Sequence, residues 1–530
     1  MTKYYLTTAI DYVNGKPHIG HAYEKIMTDV IARHARQRYD DVWFLTGTDE
    51  HGIKIQKTAA AQGCKPIEIC DENANSFAKT WDSLDISYSD FIRTTQERHK
   101  KVVQKIFKKL VDKGDIYKHS YTGLYCAGCE SFLSPRELTE DGCCPIHGKA
   151  PEKVVEENYF FRLTKYKDKI IQHIKTHPDF ILPQFRANEV LNQLENIEDI
   201  SVSRSVESVT WGIPVLDDDS QVIYVWIDAL SNYITAIGYD TDAPDEKFKK
   251  YWGADLHVIG KDILKFHSIY WIAILMALDI ELPKTIFAHG WITIDQAKMS
   301  KSIGNVISPQ MILDGFNLSS PDALRYFMMV TAAYGKDGNY SDEDFKDRVN
   351  ADLANNIGNL LNRTLNMLLK YFDGEIKEEF ITSADNELAK AALETVEKVK
   401  KNFDKMEVAE AAGEIINLAD ITNKYVNDRA PWTLAKNGET VECAKILYNV
   451  LETMKYIAVL LYPYCPNISS DIWSQLGKTS DISKVKLDEP EFLNWGSIKT
   501  GTLTTSDKVK PVFLRLESDI AGQDKKKQKV

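Results

Sequence analysis

Two short segments far apart in the chain carry residue types suited to holding a nucleoside triphosphate. They are Pro17-His18-Ile19-Gly20-His21 and Lys298-Met299-Ser300-Lys301-Ser302. Imidazole, ammonium and hydroxyl groups donate hydrogen bonds to phosphate oxygens, and a glycine lets a nucleotide approach the backbone closely. Either segment alone is also compatible with ordinary residues of a solvated loop. Together they predict two separate clamps on one nucleotide.

The residues around the first segment predict how it is positioned. An apolar run over residues 4–10 predicts a strand, Asn14-Gly15 predicts a turn, and apolar residues recur at helical spacing from Ile19 onward. A helix N-terminus presents unpaired N–H groups and the positive end of a dipole, which favours phosphate binding. We therefore expect the two histidines to lie where a helix begins.

Four apolar runs end in polar clusters, as buried strands do when they reach a ligand site. The runs are residues 4–10, 42–45, 256–259 and 285–288. Because ligands of doubly wound sheets bind outside the carboxyl ends of strands, we predict a split Rossmann-type α/β catalytic domain. Its ATP site would include Lys261, His289 and Gly290. Neither Gly-x-Gly-x-x-Gly nor a P-loop motif follows these strands, which argues against a dinucleotide-dependent dehydrogenase and a P-loop ATPase.

Between the two halves, roughly from Tyr117 to Tyr224, lies an insertion with closely spaced cysteines. The pattern Cys126-x2-Cys129-x14-Cys144-x2-His147 offers four ligands to one tetrahedral zinc ion. A filled four-ligand site leaves no open coordination position, so the predicted zinc is structural. The alternative is a loop with free thiols, and Cys143 competes with Cys144 as the third ligand.

Size and composition indicate a large cytoplasmic enzyme. The 530 residues are 44% hydrophobic, enough for two or more cores, and no stretch approaches a membrane span. We expect no signal or transit peptide, because the start runs directly into the first strand. Eight cysteines in so long a chain favour a reducing compartment. The net charge of −12 argues against a nucleic-acid partner unless one face is locally basic.

From about residue 342 the pattern changes to long amphipathic segments, which predict an all-α domain. Asn359 and Arg363 share one helix face because they are four residues apart, and Trp432 follows a later helix. Amide, guanidinium and indole groups read and stack unpaired bases in RNA. The same residue types are also common as caps, surface residues and core residues of helical bundles. The residues alone leave both interpretations open.

The two phosphate-binding segments resemble the HIGH and KMSKS signatures of class I aminoacyl-tRNA synthetases. From Tyr4 to about Trp495 the chain resembles the methionyl-tRNA synthetase family. The resemblance implies ATP-dependent activation of L-methionine to methionyl-adenylate, with Mg²⁺ accompanying ATP, and transfer to the 3′ end of tRNA(Met). The implied catalytic residues are His18, His21, Lys298 and Lys301. Gly20, Met299, Ser300 and Ser302 would complete the ATP contacts, and Asn359, Arg363 and Trp432 would read the CAU anticodon.

The resemblance also implies a pocket for the methionine side chain and its ammonium group. The matching positions are Ile10, Tyr12, Asp49, Trp226, Ala229, Leu230, Tyr233, Ile263, His267 and Trp271. Aromatic and aliphatic walls suit a polarisable thioether, and a carboxylate such as Asp49 suits an ammonium group. Asp11 and Leu230 depart from the family pattern, since many relatives carry Pro or Tyr at the first position and some carry Pro at the second.

These predictions divide the chain into six parts. Residues 1–116 and 225–297 form the two halves of the catalytic domain, 117–224 the zinc-knuckle insertion, 298–345 the KMSKS and stem-contact region, 346–495 the anticodon-binding bundle and 496–530 a C-terminal peptide with a basic tail. We expect a monomer, because the C-terminal barrel that dimerises some relatives is absent. The alternatives are a synthetase for cysteine, leucine, isoleucine or valine, a non-catalytic RNA-binding paralogue, and a small-molecule adenylating ligase.

Overall fold

The computed structural model describes residues 2–126, 131–133, 135–295 and 306–517. The predictions on Cys129, on residues 298–302 and on the lysine-rich end of the chain lie outside these residues. Within them, no helix combines the length and the apolar composition that a membrane crossing requires.

The strands are short, and most of them belong to one parallel sheet or to the insertion. They are β1 Lys3–Thr8, β2 Asp11–Tyr12, β3 Asp41–Asp49, β4 Asp90–Arg93, β5 Ile116–Cys126, β6 Ser131–Leu133, β7 Glu152–Phe161, β8 Ile181–Leu182, β9 Ile200–Ser201, β10 Ser203–Ser205, β11 Ile213–Val215, β12 Asp218–Ile223, β13 Leu256–Gly260, β14 Ile286–His289, β15 Ile292–Ile294, β16 Gly338–Tyr340, β17 Glu375–Ile376 and β18 Gly501–Thr502.

The helices alternate with strands in the first part of the chain and dominate the last part. They are α1 Ile19–Arg36, α2 Ile53–Gln62, α3 Pro66–Ser83, α4 Glu97–Asp112, α5 Lys167–Thr176, α6 Gln184–Glu195, α7 Val225–Thr235, α8 Glu246–Tyr251, α9 Ile272–Ala277, α10 Pro309–Gly315, α11 Asp322–Val330, α12 Asp342–Val349, α13 Asn359–Phe372, α14 Glu387–Asp404, α15 Val408–Arg429, α16 Pro431–Lys436, α17 Thr440–Leu461, α18 Pro466–Gln475 and α19 Pro490–Leu493. Two π-helical segments, Phe266–Trp271 and Asn350–Gly358, adjoin α9 and α13.

The catalytic domain is built on a seven-stranded parallel sheet in the order β2-β3-β1-β13-β14-β8, with β4 also paired to β3. The two halves of the domain meet where β1 pairs with β13, Leu6 opposite Leu256. The chain leaves β1 toward β3 on one side and leaves β13 toward β14 on the other. A crevice therefore opens at the carboxyl ends of β1 and β13, as in other doubly wound sheets. This confirms the predicted split Rossmann-type fold.

The insertion between the halves has sheets of its own. One has four strands in the order β6-β5-β7-β9, and a smaller one has three in the order β10-β12-β11. The long antiparallel pairing of β5 with β7, Ile116 opposite Phe161, forms its framework. This pair carries the first cysteine of the predicted metal site at the end of β5.

The last part of the chain is a helical bundle, which confirms the predicted all-α domain. Helix α17 is its centre: nearly every residue from Cys443 to Leu461 is buried, so the helix is enclosed by protein on all sides. Helices α13, α14, α15, α16 and α18 pack around it. Helix α12, the π-helical segment and α13 run continuously from Asp342 to Phe372 and join the bundle to the catalytic domain.

A buried ion pair ties the two domains together. Arg325 and Asp29 are both fully buried, and the Arg325 guanidinium donates to Asp29 Oδ2 at 2.7 Å. Arg325 also donates to the carbonyls of Leu84, Pro463 and Tyr464. Asp29 lies on α1, whereas Pro463 and Tyr464 lie between α17 and α18. The helix that begins in the first phosphate-binding segment is therefore anchored directly to the helical bundle.

Candidate active site

Helix α1 begins inside the first predicted phosphate-binding segment. His18 is its N-cap, and His18 Nδ1 accepts a hydrogen bond from the Gly20 N–H at 3.1 Å. His21 Nδ1 accepts from the His18 N–H at 3.3 Å, and the two rings lie 3.8 Å apart. Both imidazoles are half-buried, and the first turn of α1 contains no acidic residue. The two rings thus stand at the positive end of a helix dipole.

The chain that follows the second segment lies against the first. Residues 298–302 are outside the described part of the chain, but Ile307 accepts a hydrogen bond at 3.0 Å from the Ile19 N–H. The chain that the structure describes again from residue 306 is therefore hydrogen-bonded to the first residue of α1.

The predicted ATP residues at the ends of β13 and β14 are held by a carboxylate that the sequence analysis did not include. Asp337 accepts two hydrogen bonds from Lys261 Nζ, at 2.7 and 2.8 Å, and one from the Trp291 N–H at 2.8 Å. Lys261 Nζ also lies 4.3 Å from the centre of the Trp291 ring. At Gly290 an added Cβ would lie 2.1 Å from the Lys336 carbonyl oxygen, so this position requires glycine.

Three of the predicted methionine-site residues form one buried aromatic cluster. Tyr233, His267 and Trp271 are 1%, 2% and 0% exposed. Tyr233 Oη and His267 Nε2 are 2.7 Å apart, and the Tyr233 and Trp271 rings are 5.8 Å apart. His267 Nδ1 lies 3.0 Å from the Ile263 carbonyl, to which it must donate, so Nε2 accepts from the tyrosine hydroxyl.

Burial fixes the protonation state of this cluster. It lowers the pKa of His267 to about 4, against a small opposing effect of the hydrogen bond to Ile263. Burial likewise raises the pKa of Tyr233 well above its ordinary value. At neutral pH both groups are therefore uncharged, which suits a pocket for an apolar thioether.

Several of the remaining predicted methionine-site residues lie on α7, the helix that carries Tyr233. Trp226 stacks on Phe266 with ring centres 3.6 Å apart, and Phe266 was not among the predicted residues. Ala229 and Leu230 lie buried in α7, whereas Ile10 and Ile263 are half-buried.

The carboxylate predicted for the ammonium group lies at the end of a central strand. Asp49 is 7% exposed at the end of β3, where it pairs in register with Tyr12 of β2. The Val13 N–H also donates to the Asp49 carbonyl at 3.2 Å. The backbone therefore fixes these two predicted residues side by side at one edge of the crevice.

A second buried polar cluster supports the loop after β3. Asp228 of α7 accepts from His51 at 2.6 Å through one oxygen and contacts His99 at 2.7 Å through the other. Burial raises the pKa of Asp228, but the two histidines lower it further, to about 2. The carboxylate stays ionised and holds the residues next to Asp49 against α7. This cluster carries no local signal in the sequence, because its three residues are 48 to 177 positions apart.

Three of the predicted metal ligands lie together in the insertion. Cys126 Sγ and Cys144 Sγ are 3.9 and 3.7 Å from His147 Nδ1, and all three atoms lie within 4.8 Å of one another. Zinc ligands at 2.0 to 2.3 Å from the ion in a tetrahedron are about 3.3 to 3.8 Å apart, so with small shifts of these side chains the set could hold a metal ion. Cys143 instead directs its sulfur to the Asp141 carbonyl, 3.9 Å away.

The three predicted anticodon-reading residues lie on the surface of the bundle. Asn359 is exposed at the start of α13, and Trp432 is 37% exposed at the start of α16. Arg363, one turn after Asn359, donates to Asn423 Oδ1 at 3.1 Å and to Asn427 Oδ1 at 3.3 Å. Partial burial lowers the pKa of Arg363. The two asparagines of α15, which the sequence analysis missed, hold the guanidinium in place without neutralising its charge.

The family of the chain follows from comparison with known proteins. A family model described as tRNA synthetases class I (M) matches residues 4–150 and 135–365. A second, described as the anticodon-binding domain of tRNA ligase, matches residues 385–512. A methionine--tRNA ligase of Caldanaerobacter subterraneus is 44% identical over 99% of this chain and 81% of its own length. This chain belongs to the methionyl-tRNA synthetase family.

Other members of the methionyl-tRNA synthetase family support the same assignment. The methionine--tRNA ligase of Clostridium perfringens is 48% identical over 89% of this chain and 73% of its own length. Methionyl-tRNA synthetase of Mycobacterium tuberculosis, solved in complex with methionyl-adenylate, superposes with a TM-score of 0.87 at 38% identity. That alignment covers 95% of this chain and 99% of the other. The alternative of a synthetase for another amino acid is therefore not supported.

Proposed function

We propose that this member of the methionyl-tRNA synthetase family activates L-methionine with ATP and transfers the methionyl group to the 3′ end of tRNA(Met). The observation that carries the proposal is the neutral Tyr233–His267 pair beside Trp271, in the domain whose helix α1 begins at His18. The family membership supports the same reaction. Relatives bear the name methionine--tRNA ligase, and one solved relative holds methionyl-adenylate.

In this proposal the pocket orients methionine before any bond changes. The Asp49 carboxylate binds the α-ammonium group, and the aromatic rings of Tyr233, Trp226 and Trp271 contact the thioether. The hydrogen bond between Tyr233 and His267 fixes the hydroxyl in the pocket wall, so the thioether meets a group of defined direction. A pocket with directed polar groups discriminates methionine from leucine better than an aliphatic wall does.

The methionine carboxylate then attacks the α-phosphorus of ATP in line, and pyrophosphate leaves. No protein nucleophile is needed, so the chain contributes positioning and the stabilisation of developing charge. His18 and His21 donate to phosphate oxygens, and Lys298 and Lys301 close over the pyrophosphate. Mg²⁺ accompanying ATP would supply partial neutralisation of the phosphate charge. Lys261, His289 and Gly290, with the backbone around Trp291, hold the nucleoside.

In the second step the terminal ribose hydroxyl of tRNA attacks the activated carbonyl of the adenylate, forming the ester to the methionyl group while the bond to the phosphate breaks and AMP leaves. Asn359, Arg363 and Trp432 read the CAU anticodon on the distant face of the bundle. The exposure of Asn359 and Trp432, and the positive charge of Arg363, support contact with unpaired bases.

The proposed zinc ion is held by Cys126, Cys129, Cys144 and His147 and stabilises the insertion. The supporting observation is the approach of three of these ligands to within 4.8 Å. Metal analysis of the purified protein should give one zinc per chain, and Cys144→Ser should lose it. A folded, active protein without zinc would refute this part of the proposal.

The six-part division of the chain, a monomeric state and a cytoplasmic location belong to the same proposal. The division agrees with the change from the parallel sheet to the helical bundle after β16. Sedimentation equilibrium of the purified protein tests the monomeric state, since a monomer should give a mass of 60.3 kDa and a dimer about twice that mass.

Pyrophosphate exchange into ATP with each of the twenty amino acids in turn tests the proposed activity directly. Exchange with methionine alone is the expected result. Exchange with a different amino acid would reassign the pocket. The absence of exchange with all twenty would favour the non-catalytic RNA-binding alternative.

A further inference from the structure

A buried lysine lies at the centre of the three segments to which the proposed function assigns substrates. Lys25 is on α1, one turn after His21, and its side chain is 1% exposed. Its ammonium donates to the Ala9 carbonyl at 3.0 Å, to Asp11 Oδ1 at 2.8 Å and to Glu24 Oε1 at 2.9 Å. Three acceptors match the three donors of an ammonium group. Lys25 is therefore fully hydrogen-bonded without contact to solvent.

The network continues from Glu24 to the second half of the sheet. Glu24 Oε2 lies 3.1 Å from His289 Nε2, and His289 Nδ1 lies 2.7 Å from the Gly290 carbonyl. The side chains of Glu24 and His289 are 8% and 6% exposed. A continuous path of hydrogen bonds thus runs from the end of β1, through α1, to the end of β14.

Each end of this path adjoins residues assigned to a substrate. Ala9 and Asp11 flank Ile10, and Tyr12 follows, both assigned to methionine. His289 and Gly290 are assigned to ATP, and α1 carries the phosphate-binding histidines. Because Asp11 and Tyr12 are successive residues of β2, their side chains point to opposite faces. Lys25 can therefore hold Asp11 from one face while Tyr12 remains directed to the other.

The charges make this path rigid. Burial lowers the pKa of Lys25, but Asp11 and Glu24 together raise it further, so the ammonium stays charged. Burial raises the pKa of Asp11 to about 7 against the opposing effect of Lys25, whereas, despite burial, Lys25 and His289 hold the pKa of Glu24 below its ordinary value. A buried charge remains only where its partners are fixed, since leaving one unpaired is costly. The geometry of Ala9, Asp11 and Glu24 is consequently set by one atom, the Lys25 nitrogen.

We propose that Lys25, with Asp11 as its partner, is a positioning residue that sets the methionine segment at a fixed distance from the phosphate-binding end of α1. The inference rests on the proposed function. The pair touches no substrate itself; it aligns the carboxylate nucleophile with the α-phosphorus for in-line attack.

The test separates alignment from binding and from folding. In Asp11→Asn, the amide oxygen still accepts from Lys25, but the carboxylate charge is lost. The two proteins are compared at about pH 8.5, above the pKa of about 7 to which burial raises Asp11, so that Asp11 is ionised in the unaltered enzyme. We expect the single-turnover rate of methionyl-adenylate formation to fall about tenfold or more. The affinities for methionine alone and for ATP alone should change less than about threefold, because neither ligand contacts the pair.

A buried ion pair in the bundle provides a matched control, because removing its carboxylate charge tests the effect of losing any buried charge on stability. Glu452 pairs with buried Lys455 at 3.1 Å, and their side chains are 0% and 1% exposed. Glu452→Gln should lower the unfolding temperature without changing the single-turnover rate of the folded enzyme. Should Asp11→Asn not fold, the double change Asp11→Leu with Lys25→Met, which removes both charges, replaces it in the same assay.

The outcomes distinguish this inference from the proposed function. If the unaltered enzyme fails to form methionyl-adenylate, the proposed function is wrong. If it does, and Asp11→Asn or its replacement retains the full single-turnover rate, the positioning role is wrong. A rate loss that parallels an equal loss of methionine affinity would also overturn it, because the pair would then shape the pocket and not the alignment.

Discussion

The catalytic domain and the helical bundle hold their recognition groups in opposite ways. Tyr233 and His267 are almost fully buried and hydrogen-bond each other, whereas Asn359 and Trp432 are exposed on the bundle surface. A reacting small molecule must be enclosed and aligned, so its site is fixed in advance by buried partners. Unpaired RNA bases must reach their readers from solvent. Burial therefore decides whether a polar or aromatic side chain helps to enclose a small molecule or remains accessible to RNA.

The two recognition sites also differ in how their charged groups are paired. In the catalytic domain Lys25, Glu24 and Asp228 are paired with opposite charges or with histidines inside the protein. In the bundle, Arg363 is held by two amide oxygens, and no described carboxylate pairs with it. Internal pairing stabilises a fixed geometry, whereas an unneutralised guanidinium keeps its charge for a partner.

The largest expected effect concerns the ion pair that joins the two regions. Arg325→Met leaves Asp29 as a buried carboxylate without this partner and removes the hydrogen bonds to the α17–α18 connection. We expect the free energy of unfolding to fall by about 3 to 5 kcal/mol, measured by denaturant titration.

Arg348→Met is the matched control for this change. Arg348 is 55% exposed and lies 3.7 Å from Asp352. Its removal should cost less than about 1 kcal/mol. Equal losses in the two variants would show that the domains do not depend on the Arg325 connection.

The second prediction separates phosphate binding from the methionine pocket. His21→Ala should slow methionyl-adenylate formation about 100-fold, because a donor to developing phosphate charge is lost. Methionine affinity, measured without ATP, should remain within about threefold. His177, an exposed histidine of the insertion, provides the control as His177→Ala. A comparable loss of methionine affinity in His21→Ala would place His21 in the pocket instead.

The third prediction concerns the bundle alone. Arg363→Ala should lower kcat/KM for tRNA(Met) about 10- to 100-fold, since a base-reading contact contributes about 1 to 3 kcal/mol. Pyrophosphate exchange should be unchanged. Asn423→Ala, which releases the guanidinium without removing it, should have a smaller effect in the same direction.

Arg429→Ala controls for the loss of positive charge on the same domain. Arg429 is exposed on α15 and pairs with Glu387 at 3.1 Å. Aminoacylation should be nearly normal in this variant. If it falls as far as in Arg363→Ala, the bundle attracts tRNA through general charge and does not read the anticodon at Arg363.

The smallest expected effect is the pH dependence that His267 gives to stability. Its pKa is about 4 in the folded protein, below the ordinary value of 6.5, so protons bind preferentially to the unfolded chain. The stabilisation is complete above pH 6.5 and is lost as the pH falls toward 4. Between pH 7 and 5.5 His267 should account for about 1 kcal/mol of lost stability.

Comparison with His267→Gln isolates this contribution from that of other buried histidines. Between pH 7 and 5.5 the free energy of unfolding of the variant should fall by about 1 kcal/mol less than that of the unaltered protein. Trp432→Ala, a change in the bundle, should show the same dependence of stability on pH as the unaltered protein. Identical pH slopes for the enzyme and His267→Gln would show that His267 titrates alike in the folded and unfolded states.

Much of the fold could be predicted from residue patterns. The apolar runs at residues 42–45 and 256–259 lie within β3 and β13, and the long amphipathic segments expected from about residue 342 correspond to helices such as α14 and α15. These predictions succeeded because strand and helix periodicity is local in sequence. The π-helical segment Asn350–Gly358 was not predicted, because its hydrogen-bond pattern leaves no distinct periodicity.

The candidate site was only partly predictable. Its motif residues are recognisable by type and spacing, and His18 does cap α1 as expected of a helix N-terminus. Asp337, Phe266 and Asn423 carry no local signal, since each acquires its role from a partner on another element. Asp228 lies in an apolar helix, so the sequence pattern predicts a core position there. Only the structure shows that the carboxylate binds two histidines.

By itself the sequence determined the order of strands and helices, the capped start of α1 and the residue types available for chemistry. These depend on local conformation, which a few neighbouring residues set. The tertiary structure alone decided which charges are paired. Lys25 meets Asp11 and Glu24, and Arg325 meets Asp29, because folding brings distant segments together inside a medium of low polarity. Only there does an ion pair fix geometry, since water no longer competes for either charge.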